Sequence, residues 1–195
     1  MELNSFKSIY LIRHCKADGQ EAGAKLTSEG LEQACKLADF LYARQIDYII
    51  SSSYKRAIAT IEPLARKINL KVNTDARLCE RILSSETLSN WHEKLYETFQ
   101  DEEMRLPGGE TSFEAMERGI SVIEELLELS VKSIAVVTHG NMMCLMLRYY
   151  DTSYGFDEWK NLTNPDVFEL LIPNKKEAVS IKRIGEELWE ARKGT

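Results

Sequence analysis

The sequence has few of the residues that hold small secreted domains or metal clusters together. Its four cysteines, Cys15, Cys35, Cys79 and Cys144, are scattered over 195 residues without a C-x-x-C pair. Neither a disulfide framework nor a zinc cluster is indicated, and reduced thiols are expected. None of these cysteines is followed by five residues and an arginine, so a thiolate phosphate-binding loop is excluded. His92-Glu93-Lys94-Leu95-Tyr96 lacks the second histidine of a zincin helix, and no G-x-x-x-x-G-K-[ST] loop occurs. Basic residues are outnumbered by acidic ones, 25 to 31, for a net charge of −6. That balance argues against nucleic acid or an anionic membrane as partner, while leaving room for a local basic pocket. No apolar run approaches the roughly 20 residues of a bilayer span. The start, Met1-Glu2-Leu3-Asn4-Ser5-Phe6-Lys7, lacks the basic-then-apolar order of a signal peptide, so a cytoplasmic location is expected.

What is present reads as alternating strands and helices. Ser8–Ile12, Ile46–Ile50 and Ser133–Val137 are short runs without a polar face, the pattern of strands covered on both sides. After Thr27-Ser28-Glu29-Gly30, a helix is marked by Leu31, Ala34, Leu37, Ala38 and Leu41. Ser51-Ser52-Ser53 can cap a second helix through Arg56 and Thr60, which Pro63 should kink or restart. A short strand is expected near 71–73, and Asn90 to Glu93 resembles a capping box opening a helix with Trp91, Leu95 and Phe99 in a stripe. Phe113, Met116, Ile120, Ile123 and Leu127 mark a further helix, and Asn141–Tyr150 another. Val167–Ile172 and Val179–Ile184 read as antiparallel edge strands around Asn174-Lys175-Lys176. The expectation is a single domain over 1–195, a three-layer α/β/α sandwich with a mainly parallel sheet and a cap-like insertion near 82–112.

In such sheets the ligand crevice lies beyond the carboxyl ends of the strands. Arg13-His14, Ser51 to Arg56, and Thr138-His139 all fall there, so two of the three histidines follow the most apolar strands. One histidine at a strand end is more often structural than catalytic; the pair reverses that weighting. Arg13, directly after a buried run, needs an anionic partner, which a phosphate supplies bidentately. Arg56 in the first turn of a helix opposes the dipole unless an anion is shared there, though a solvated arginine fits equally well.

These residues carry a family resemblance. Arg13-His14 resembles an Arg-His-Gly motif, and Leu26-Thr27-Ser28-Glu29-Gly30 with Gln33-Ala34 resembles Leu-Thr-x-x-Gly-x-x-Gln-Ala. Ser51-Ser52 with Arg56-Ala57, Leu78-Cys79-Glu80, Pro107 to Thr111, and Thr138-His139-Gly140 complete the pattern in order. The chain thus resembles the histidine phosphatase superfamily, in the branch that contains cofactor-dependent phosphoglycerate mutases. Two places depart from it. Cys15 stands where the family has glycine, and Gln20 occupies the region of a polar phosphate-contacting residue.

The resemblance implies a phosphoglycerate mutase-like fold and metal-independent hydrolysis of a small phosphomonoester, with no cofactor. His14 would attack phosphorus to give a phosphohistidine, while Arg13, Arg56, His139 and Gln20 bind the phosphoryl group. The cationic surroundings would keep His14 neutral while His139 takes the charge. Glu80 would be the proton donor; without the motif, Glu80-Arg81 reads as a surface pair. Glu86 and Glu110 are fallback acids, with Glu110 better placed to cap the helix near Thr111. His92 reads as a packed surface residue, and Trp91, Leu95 and Phe99 as core. Substrate choice is expected in 82–105. A mutase that returns the phosphoryl group to an acceptor, and a noncatalytic phospho-ligand scaffold, remain as alternatives.

Overall fold

The computed structural model describes residues 6–173 and 178–185. Strand β1 (Phe6–Arg13) leads to α1 (Ser28–Tyr42), β2 (Tyr48–Ser51), α2 (Lys55–Ile68) and β3 (Val72–Thr74). A 3-10 turn at Ala76–Leu78 precedes α3 (Trp91–Gln100) and α4 (Ser112–Glu128). Then follow β4 (Ser133–Thr138), α5 (Gly140–Tyr150), α6 (Phe156–Lys160), β5 (Asp166–Pro173) and β6 (Ser180–Arg183).

The strands form one sheet in the order β3-β2-β4-β1-β5-β6. The first four run parallel, and β5 and β6 are antiparallel additions. Successive side chains of a strand point to opposite faces, which divides β1 cleanly. Ile9 and Leu11 join Ile134 and Val136 beneath α4 and α5. Tyr10 and Ile12 join Ala135 and Val137 beneath α1 and α2. The result is the expected three-layer α/β/α sandwich, with apolar runs because both faces of the central strands are covered.

Local details differ from the sequence pattern in several places. Leu31 is 55% exposed, and α1 instead buries Gly30, Gln33, Ala34, Leu37, Ala38 and Leu41. Phe113 is likewise open to solvent, while Ala115, Met116 and Gly119 are buried, Gly119 against Met142 and Met146 of α5. Pro63 does not break α2. Buried Ile61, Leu64 and Ala65 seat the helix on both sides of it, and this packing outweighs one missing N–H bond. Tyr54, not a serine, is the N-cap of α2, and it makes no side-chain cap bond. Asn90 directs its amide to Glu93 instead of capping the backbone. Glu110 does not cap α4 either: Thr111 and Glu114 form the capping box, while Glu110 pairs with Arg118 at 2.9 Å. β5 is interior, paired with β1 along its length, and of these two strands β6 alone is at an edge, opposite β3 at the other. The turn expected at Asn174-Lys175-Lys176 lies outside the described residues.

The loop after β1 is clamped to α1 at Gly30. A Cβ there would lie 2.0 Å from the Lys16 carbonyl oxygen, which also accepts the Thr27 N–H. Gly30→Ala is therefore expected to destabilise the fold by roughly 1–3 kcal/mol, read as a lower urea midpoint.

Candidate active site

Parallel pairing sets the carboxyl ends of β1, β2 and β4 side by side, with Arg13 opposite Thr138 and Ser51 opposite Val137. The ladder continues one residue further. His14 N–H donates to the Thr138 carbonyl at 3.0 Å and Ser52 N–H to the Val137 carbonyl at 2.8 Å. This brings the His14 and His139 rings to a 5.1 Å centroid separation.

The hydrogen bonds define the tautomers. His14 Nδ1 lies 2.7 Å from the Cys15 carbonyl, which only accepts, so Nδ1 carries the proton. Its Nε2 is thereby unprotonated, and that lone pair accepts the Arg56 Nε–H at 3.1 Å. Arg56 is wholly buried; its Nη1 donates to the Gln20 and Glu21 carbonyls and its Nη2 to His139 Nδ1 at 3.1 Å. With Nδ1 accepting, the His139 proton resides on Nε2, which donates to Ser52 Oγ at 2.7 Å. Tyr54 closes the group, its ring 4.9 Å from the Arg56 guanidinium and edge-on to His139 at 5.0 Å.

Burial, reinforced by Arg56 and Arg13 and only partly opposed by the Cys15 bond, pushes the His14 pKa down to about 3. His139 does not take the charge expected of it. Burial first, then His14 and Arg56, holds its pKa well below the ordinary histidine value. As placed, it anchors Arg56 instead of presenting a proton to the cavity.

Arg13 donates to the Leu162 carbonyl at 2.9 Å, and its buried Nε has no partner. Its guanidinium lies across Gly140, where a Cβ would come within 3.1 Å of it. Glu80 sits at the amino end of α5: Oε1 accepts Met142 N–H and Arg81 N–H, each at 2.9 Å, and Oε2 accepts Asn141 N–H at 3.2 Å. Arg13, His14, Gln20 and Glu80 line one cavity of about 100 Å³. Arg56 and His139 stand behind His14, and the Gln20 carbonyl holds Arg56. Exposed Glu86 and the paired Glu110 do not line it.

Two features escaped sequence reading. Asn164 donates to the His14 carbonyl at 2.7 Å and lines the cavity, from a loop 150 residues away. Ser52 links His139 to Cys79, whose Sγ lies 3.3 Å from the Ser52 hydroxyl. Cys15, in place of a glycine, turns its thiol into the core beneath α1 and α2, where burial pushes its pKa up to about 12. His92 lies exposed among the rings of Trp91, Phe156 and Trp159. Trp91 is not core: it is 49% exposed. No helix among the described residues is long and apolar enough to cross a membrane.

A three-layer α/β sandwich with a histidine pair, a buried Arg56 and a partly buried Arg13 at the carboxyl edge of its sheet is of the phosphoglycerate mutase-like class. The chain belongs to the histidine phosphatase superfamily, branch 1, whose family model matches residues 9–180. A protein of Escherichia fergusonii named "Probable phosphoglycerate mutase GpmB" is 28% identical over 170 residues, covering 77% of this chain and 76% of its own. The structure is similar to mycobacterial glucosyl-3-phosphoglycerate phosphatase bound to inorganic phosphate, with TM-score 0.73, 22% identity and coverage of 91% and 95%. It is also similar to a mutant phosphoserine phosphatase of Entamoeba histolytica solved with phosphoserine, with TM-score 0.76, 16% identity and coverage of 94% and 99%. Proteins similar to this chain thus carry both mutase and phosphatase names.

The His14 environment makes stability depend on pH. The unfolded chain binds a proton near pH 6.5 that the folded chain refuses until about pH 3. The contribution of neutral His14 is therefore complete above about 6.5 and is lost as pH falls toward 3. The urea midpoint at about pH 5 should lie below that at about pH 7.5, with a smaller gap in His14→Gln.

Proposed function

We propose that the protein hydrolyses small phosphomonoesters without a metal, through a phosphohistidine on His14. The observation that carries this reading is the unprotonated Nε2 of His14 at a cavity lined by Arg13, with Arg56 behind the ring, neither guanidinium being bonded to a carboxylate among the described residues. A phosphoryl dianion would supply the missing charge. In the first step the Arg56 Nε–H hydrogen bond passes from His14 Nε2 to a phosphoryl oxygen, and the released Nε2 lone pair attacks phosphorus. The P–O bond to the leaving group breaks, and Glu80 gives a proton to the departing alkoxide. In the second, Glu80 takes a proton from water as its oxygen attacks phosphorus, and the P–N bond breaks to return His14 and release phosphate. Arg13 and Arg56 stabilise charge on the non-reacting oxygens, Arg56 held in place by His139 and the Gln20 carbonyl. Gln20, whose residue lines the cavity mouth, adds a side-chain amide within the phosphate-binding set.

The similarity to a protein named as a mutase favours a second reading, in which a bound hydroxyl, not water, takes the phosphoryl group. Interconversion of phosphoglycerate isomers faster than phosphate release would establish it.

Hydrolysis of p-nitrophenyl phosphate should survive excess EDTA. His14→Ala should lower it by about 10³-fold or more and abolish covalent labelling; labelling retained in that variant removes His14 as nucleophile. Glu80→Gln should slow alkyl phosphates by about 10²-fold while sparing p-nitrophenyl phosphate, whose leaving group needs no proton. Equal losses on both substrates would remove Glu80 as the acid.

A further inference from the structure

We propose that the phosphomonoesters this protein prefers carry an aromatic leaving group, received by Trp91 and Trp159 in a second hollow that opens off the phosphate cavity. The inference rests on the reading of His14 and Glu80 as the reacting groups.

The two hollows share Arg13, Gln20, Glu80 and Gly140 in their walls. A group bonded to a phosphoryl at His14, and protonated from Glu80, therefore departs into the second. That hollow measures about 400 Å³ against about 100 Å³ for the first, within the range of small-molecule pockets. Its wall is largely apolar, built from Trp91 and Leu95 of α3, Trp159 of α6, and Leu83.

Trp91 stands half out of the protein fabric at this opening. Its ring meets Trp159 edge to face, 6.1 Å apart at 87°, and the array continues through His92 and Phe156. Another ring extends that array and covers the open indole, a geometry worth more than its buried area alone. A compact hydroxy acid or sugar would leave the indoles wet and set hydroxyls against carbon.

The polar groups of the wall agree with an uncharged aromatic. Arg81 is spoken for: its Nη1 donates to Thr98 and Ser112 hydroxyls, and its Nε and Nη2 to the Glu110 carbonyl. It therefore holds α3 to α4 and is poorly free to bind a second anion. Asn141 also lines the hollow, 7% exposed, with both ends of its side-chain amide unpartnered. A buried amide left so is unusual, and a heteroatom or hydroxyl on the ring would satisfy it.

The test uses esters with similar alkoxide leaving groups, so that chemistry is matched and only bulk and ring differ: ethyl, hexyl and 2-phenylethyl phosphate. The wild type should favour 2-phenylethyl over ethyl phosphate in kcat/KM by about tenfold or more, mainly through KM. Trp91→Ala should bring that ratio close to one, and Trp91→Phe should retain most of it. Calorimetry with His14→Ala should show the same order of binding without turnover. Equal kcat/KM for ethyl and 2-phenylethyl phosphate, hexyl phosphate matching 2-phenylethyl, or a ratio unmoved in Trp91→Ala would each overturn the aromatic assignment while leaving the phosphatase reading intact. If no ester is hydrolysed, the phosphatase reading falls, and the calorimetric order alone decides the pocket's preference.

Discussion

The arrangement turns on a guanidinium buried without a carboxylate. Arg56 is shut off from solvent and bonded to two carbonyls and two imidazole nitrogens. Neutral acceptors satisfy its hydrogen-bonding capacity, and its charge is met only through space, by Glu80 and Glu21, which favours an anion beside it. The same cation fixes its neighbours. It occupies one nitrogen of each histidine, which sets both tautomers and, with burial, keeps both rings neutral. A neutral His14 with an unprotonated Nε2 is what a phosphorus electrophile requires.

The fold supplies this geometry through strand register. Three parallel strands end level, so residues far apart in sequence emerge at one edge, and the helices that follow begin there. α5 starts immediately after His139 and offers its first backbone N–H groups to Glu80. Glycine at position 140 lets Arg13 lie flat against that helix start. One turn of helix thus holds the Glu80 carboxylate, meets Arg13 and, at Asn141, forms the wall of the neighbouring hollow. Charge is concentrated on the inner cavity and apolar surface on the outer one, a division suited to a molecule with an anionic end and an apolar end.

Where local pattern and structure parted, tertiary packing decided. The periodicity of α1 places Leu31 in line with buried residues, yet the close approach of Gly30 to Lys16 rotates the buried face and leaves Leu31 outside. Serines before α2 have the chemistry of caps, but the Ser52 hydroxyl is drawn to His139 and to the Tyr54 N–H. Trp91, Leu95 and Phe99 share a helical stripe, and only the last two find neighbours that cover them. Sequence spacing indicates which side chains share a face but carries no information about how far the opposing element reaches.

The sequence by itself determined the sandwich and the positions of its candidate site residues. Uninterrupted apolar runs require strands covered on both faces, and a histidine or arginine directly after such a run has to emerge at the sheet's carboxyl edge. Arg13, His14, Arg56, Glu80 and His139 were all legible on that basis together with the motifs they form. Only the tertiary structure decided that His139 is neutral and anchors Arg56, that Asn164 secures the His14 backbone from the far end of the chain, and that Trp91 faces an opening. Proton positions and exposure depend on atoms brought within hydrogen-bond or van der Waals reach by folding, and such proximity over 83 to 150 residues is absent from any local pattern.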